Sequence, residues 1–180
     1  NGTKVSGRTS SGLGIGVFNS IENRIFATIS DPSGNKRQVQ THPLTNYNVF
    51  VLSQNLKNNS SVSFVNTNVM REGSSRDANV TVGRTSLFSR DNKFLLETEV
   101  KVSSIFEEDT PELGHSLYVG LERVSGSWRY GFEYSEESDT YDPNDLGFLY
   151  ANNSRYLDFD LRWNDFTPGK YFLRKWAEME

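Results

Sequence analysis

Between Leu117 and Tyr134 the chain alternates almost without error. Leu117, Val119 and Leu121 interleave with Tyr118, Gly120 and Glu122. After a Ser125-Gly126 corner, Trp128, Tyr130, Phe132 and Tyr134 interleave with Arg129, Gly131, Glu133 and Ser135. Side chains of a strand point to opposite faces with period two, so each half has one apolar and one polar face, and the glycine suits a tight hairpin turn. The same rhythm recurs elsewhere. Val5, Thr9, Leu13, Ile15 and Val17 run opposite Lys4, Ser6, Arg8, Ser10, Gly12, Gly14 and Gly16, which reads as one long strand. The stretch 24–41 reads as a polar hairpin turning at Asp31-Pro32-Ser33-Gly34. Two further strand pairs flank the corners LKNNS (56–60) and SRDNK (89–93). Leu157, Phe159, Leu161 and Trp163 oppose Tyr156, Asp158, Asp160 and Arg162, and a partial strand KYFLRKW (170–176) ends the series. The pattern predicts about nine strands and no helix.

The connections alternate as well. The corners at 56–60, 89–93, 125–126 and 164–169 are short, whereas 21–45, 107–114 and 135–154 are long. Short turns on one rim and long loops on the other are the plan of an antiparallel up-and-down transmembrane β-barrel. A soluble β-sandwich also alternates apolar and polar positions, so alternation alone does not separate the two. Two features favour the barrel. Charges of both signs repeat on the polar faces, and aromatics gather towards strand ends (Trp128, Tyr134, Trp163, Tyr171, Trp176) as interfacial girdles do. The barrel reading makes Leu117, Val119, Leu121, Trp128, Tyr130, Phe132, Leu157, Phe159 and Leu161 lipid-facing. It makes Glu97, Glu99, Lys101, Arg129, Glu133, Asp158, Asp160 and Arg162 lumen-facing.

Composition narrows the alternatives. Of 180 residues, 35% are hydrophobic and 23% charged, with a net charge of -4. No basic face suggests a nucleic-acid partner. No cysteine is present, which excludes disulfides and thiolate metal sites. No apolar run approaches the ~18 residues of a membrane helix. Histidines are limited to His42 and His115. A nucleophilic pair of His115 with Ser116 is disfavoured, because neighbours on a strand point to opposite faces. The carboxylates on the polar faces read as a wet network of ion pairs in preference to a glycosidase pair. Gly12, Gly14 and Gly16 lack the strand-loop-helix setting of a phosphate loop.

The loop 136–145 is strongly acidic. Asp139, Asp142 and Asp145 form a weak calcium candidate, set against the reading that Asp and Asn cap turns while Leu146, Phe148 and Leu149 fold back onto the rim. Tyr141, Phe148 and Tyr150 are read as loop anchors before sugar-stacking groups. No catalytic or cofactor set is expected, and the chain is not read as an enzyme.

The runs KVSGRTSSGLGIGVFNSI, PLTNYNVFVLSQNLKNNSSVSFVNTNV, REGSSRDANV, SGSWRYGFEYSEESDTYDPNDLGFLY and RYLDFDLRW closely resemble a family of bacterial outer-membrane barrels, the domain of unknown function 5916. SQNLKNN (Ser53 to Asn59) and SDTYDPNDLGFL are the most specific of these. The resemblance spans nearly the whole chain. It implies a location, the outer membrane of a Gram-negative bacterium, and an architecture, but no established activity. It also implies that this chain is a slice of a larger barrel whose carbohydrate-binding-like module lies elsewhere. The expected partners are outer-membrane lipid, the remaining strands of the barrel or neighbouring membrane proteins, and glycans. The expected role is transport or a surface scaffold. The alternative is a soluble secreted β-sandwich that binds glycans.

Overall fold

A computed structural model describes residues 1–73, 76–107 and 110–179. The centre of the predicted loop at 107–114 lies outside them, as does part of the segment between 71 and 77. Within the described residues the protein is entirely β-structure, with twelve strands where the pattern predicts about nine. They are β1 (Gly2–Arg8), β2 (Leu13–Glu22), β3 (Ile25–Ser30), β4 (Lys36–His42), β5 (Thr45–Asn55), β6 (Ser61–Arg71), β7 (Asp77–Phe88), β8 (Phe94–Phe106), β9 (Glu112–Arg123), β10 (Trp128–Glu137), β11 (Ser154–Asp165) and β12 (Lys175–Met179).

The long first strand of the sequence reading is in fact the β1–β2 hairpin. Gly12, at φ 86°, closes a tight turn in which its N–H bonds Thr9 O at 3.0 Å. Val5 pairs with Val17 and Arg8 with Gly14, so odd residues meet odd residues. The alternation therefore crosses the turn without changing phase and hides the reversal. Asn58, Asn59 and Asn92 take the left-handed conformation in the 56–60 and 89–93 corners, and Gly126 takes it in the corner after β9. Asn tolerates that region better than other residues with a side chain, which is why these Asn-rich corners turn so tightly.

Ten strands form one antiparallel sheet in the order β1-β2-β5-β6-β7-β8-β9-β10-β11-β12. The sheet is open: β1 and β12 are its edges, and among the described residues it does not close into a barrel. β3 and β4 pair only with each other, as the polar hairpin predicted between 24 and 41.

The register climbs steadily across the sheet. Gly14 at the end of the first hairpin pairs with Ser53, but the next hairpin closes two residues further along β5, at Asn55 and Ser61. Ser61 pairs with Ser86, and the following hairpin again closes two residues further, at Phe88 and Leu95. A stagger of about one residue per strand, at ~3.4 Å per residue and ~4.8 Å between strands, tilts the strands by roughly 35°.

What little core exists lies on the polar face, at the long-loop rim. Val69, Ala78, Val80 and Ile105 are buried there with Tyr141, which is 3% exposed. The opposite face holds most of the apolar side chains and is covered by nothing among the described residues. Leu121 is 50% and Leu157 66% exposed.

Candidate functional site

The register sorts the side chains of β8 to β11 into two sets. Glu97 and Gly120 are partners, as are Gly120 and Glu133, and Glu133 and Asp158. Lys101 pairs with Ser116, Gly131 with Asp160 and Arg129 with Arg162, which brings Glu97, Glu99, Lys101, Arg129, Glu133, Asp158, Asp160 and Arg162 onto one face. Lys101 Nζ bonds Glu99 Oε1 at 2.6 Å, Arg84 also holds Glu99, and Arg162 Nε donates to Glu178 Oε1 at 2.6 Å. Tyr118 and the carboxylates Glu97, Glu122, Glu133, Asp158 and Asp160 line a concavity of about 380 Å³.

Leu117, Val119, Leu121, Trp128, Tyr130, Phe132, Leu157, Phe159 and Leu161 share the other face, with Phe132 between Leu121 and Phe159 in one cross-strand row. This apolar band has defined borders. At the short-turn rim Trp128 and Trp163 pack with ring centroids 6.3 Å apart. At the long-loop rim runs a ladder of amides. Asn19 donates to Asn46 at 2.6 Å and to Asn48 at 2.8 Å, while Asn66 and Asn79 exchange bonds of 3.0 and 3.2 Å. Sequence reasoning missed this ladder. Its signal was the Asn at alternate positions, 46 and 48, then 66 and 68, of two consecutive strands.

The border is oblique to the register. Asn19, Asn48, Asn68 and Asn79 form one cross-strand row. On β10 and β11 the first polar residues, Glu136 and Arg155, instead fall in the row of Leu117, Val100, Phe64, Leu52 and Ile15. The border thus slips four residues, in the same direction as the staircase of short turns. Along tilted strands, a band parallel to the rim must slip in just this way.

Across the polar face at the long-loop rim lies the 138–153 loop. It does not project from β10. Asp142 N–H donates to Ser103 Oγ at 3.1 Å, and Thr140 Oγ1 donates to Leu113 O at 2.7 Å. The backbone of Thr140 and Tyr141 lies so close over Gly114 that a Cβ there would fall 2.3 Å from Thr140 O. Further on, Asp145 Oδ1 accepts from Arg71 at 2.6 Å, and Asp145 Oδ2 accepts from Arg76 at 3.0 Å. Asp142 Oδ2 accepts from Arg76 at 2.6 Å. The loop therefore spans from β10 across β9, β8 and β7 to Arg71 at the end of β6, roughly 19 Å at the usual strand spacing.

Burial works against the Asp142 charge, but the Asn144 N–H and the Arg76 guanidinium outweigh it and hold its carboxyl below the ordinary range. Burial likewise opposes the charge of Arg76, and Asp142 and Asp145 together raise its pKa.

This geometry revises the reading of the acidic loop. The calcium candidate Asp139, Asp142 and Asp145 does not assemble. Asp142 and Asp145 converge on an arginine, and at Asp139 it is the backbone carbonyl that is engaged, accepting from Asn152 Nδ2 at 2.7 Å. Arg71 and Arg76 were not singled out in the sequence, since two arginines near a loop end carry no local signature of their partners 66 to 74 residues away. Tyr141 is an anchor. Phe148 and Tyr150 are not: they stand 86% and 93% exposed, and Phe148 does not fold onto the rim. His115 and Ser116 point to opposite faces, His115 to Glu136 at 3.3 Å and Ser116 into the buried side. His42 bonds Thr45 Oγ1 at 3.1 Å. Trp176 departs from the expected girdle, because its pairing with Asn164 puts it on the polar face.

The fold and this two-faced sheet define an antiparallel β-protein with an uncovered apolar band and a loop-capped polar face. The chain belongs to the family described as Domain of unknown function (DUF5916), which matches residues 1–179. No curated protein and no solved structure matches it.

Proposed function

We propose that this chain is part of the wall of an outer-membrane β-barrel of a Gram-negative bacterium, acting in transport or as a surface scaffold and not as an enzyme. The observation that carries this reading is the level, bordered apolar band on a face that no other described part of the chain covers. In water, such a face would expose Leu121, Phe132, Leu157 and Phe159 together, an aggregation hazard for a soluble protein. In lipid it is the buried side. The amide ladder and the Trp128–Trp163 pair fit the two borders where the hydrocarbon ends. A soluble glycan-binding sandwich needs a second sheet over the band, and the described residues provide none.

The edges complete the argument. β1 and β12 each present unpaired backbone groups, which in hydrocarbon cost several kcal/mol apiece, so further strands must join them there. Outer-membrane lipid and these strands are the partners the reading requires. Glycans fit the exposed Phe148 and Tyr150, whose faces are free to stack on sugar rings.

Brominated-lipid quenching tests the proposal. Trp128 and Trp163 of the reconstituted protein should be quenched by bromines placed near the headgroup end of the acyl chains, and Trp176 should not. A protein that stays monodisperse in water without detergent, with no quenching, would sink the barrel reading.

A further inference from the structure

We propose that the 138–153 loop is a constriction strap held across the lumen, latched by Arg71 and Arg76, and that it sets the size of what can pass. The inference rests on the barrel reading, since it takes the polar face to line a lumen.

Three independent features make the strap a built part of the polar face. The first is reach. A surface loop would satisfy its backbone with water, whereas this one crosses three strands and bonds Ser103 and Leu113 on the way. The second is fit. Gly114 leaves space that the Thr140–Tyr141 backbone fills, and Tyr141 is itself buried, as are Val69, Ala78, Val80 and Ile105 on the same face and rim, the only apolar side chains the described residues bury. A polar lumen wall has no other evident use for an apolar patch. The third is the latch. Asp145 has a side chain only 9% exposed and accepts from Arg71 at the end of β6 and Arg76 just before β7, while Asp142 shares Arg76. Partly buried, charge-assisted bonds of this kind are stronger than exposed ones and fix geometry. They tie the far end of the strap to the opposite part of the sheet. Chain ordered in this way occupies volume in front of β6 to β9 at the long-loop rim, leaving passage on the side of the carboxylate-lined concavity of β8 to β11.

The test uses the intact protein in liposomes, with entry of uncharged sugars of graded size as the readout and cleavage within 138–153 as the control for strap position. R76A should expose the strap to protease and shift the exclusion limit to larger sugars. The charge-exchanged variant, Arg76→Asp with Asp142→Arg and Asp145→Arg, should recover part of the protection and move the limit back towards wild type. D145N, a milder change that leaves the strands untouched, covers the case in which R76A fails to fold. An unchanged exclusion limit in a variant whose strap is demonstrably cleavable would overturn the constriction. Failure of the barrel reading looks different: the wild-type protein would not enter liposomes at all, and the strap's protection would be measured in solution.

Discussion

Gly114 illustrates how much a single position can carry here. A Cβ at this residue would meet backbone atoms of Thr140 and Tyr141 at 2.3 Å, and backbone cannot swing aside as a flexible side chain can. Overpacking of a tight site costs typically about 1–3 kcal/mol, more where backbone must move. Gly114→Val is therefore expected to lift the strap while leaving the sheet paired. Limited proteolysis should show new cleavage between 138 and 153, with an unchanged strand signal in circular dichroism. A variant whose loop is as resistant as wild type would show that the close approach is not a constraint. In the sequence, Gly114 is only the last residue of a predicted loop. Nothing local announces that the backbone of Thr140 and Tyr141 lies on it.

Among the elements, the hairpins at LKNNS, SRDNK and Ser125-Gly126 were legible, and the strap was not. LKNNS and SRDNK turn because Asn accepts the left-handed conformation, a property of single residues. The strap depends on partners distant in sequence, and its latch responds to pH. The folded Asp142 carboxyl is held below its ordinary value, so its contribution is full above about pH 4 and is lost as pH falls through the folded value. Arg76 remains charged throughout. The strap should therefore loosen below about pH 4, seen as growing protease sensitivity within 138–153 while the strands stay paired. Equal protection on acidification through the folded Asp142 value would show that the Asp142–Arg76 contact does not hold the loop.

For the whole molecule, the band on the uncovered face is the feature with consequences. Val119 lies between Leu117 and Leu121 on the outward side of β9, flanked in its row by Thr98 and Tyr134. If that position lies near mid-bilayer, Val119→Arg should destabilise the reconstituted protein by about 2–4 kcal/mol, whereas the same change near a border should cost ~0–1. Urea titration in lipid would measure both. A Val119→Arg cost indistinguishable from that of a border substitution would remove the depth dependence that lipid imposes.

The alternation of residues determined the strands and their faces, because in an extended chain the direction of each side chain is set by parity alone. Parity therefore suffices to place Glu97, Glu133 and Asp158 on one face of β8 to β11 and Leu121, Phe132 and Phe159 on the other. Parity also concealed the first hairpin, since Thr9 to Gly12 reverses the chain without altering which residues face which side. Tertiary structure alone decided the stagger of the strands and the slanted border that follows it, because register is a relation between strands and no strand contains it. It also decided that Asp142 and Asp145 meet Arg76 and Arg71, because the carboxylates and guanidiniums converge only after five strands have been laid side by side.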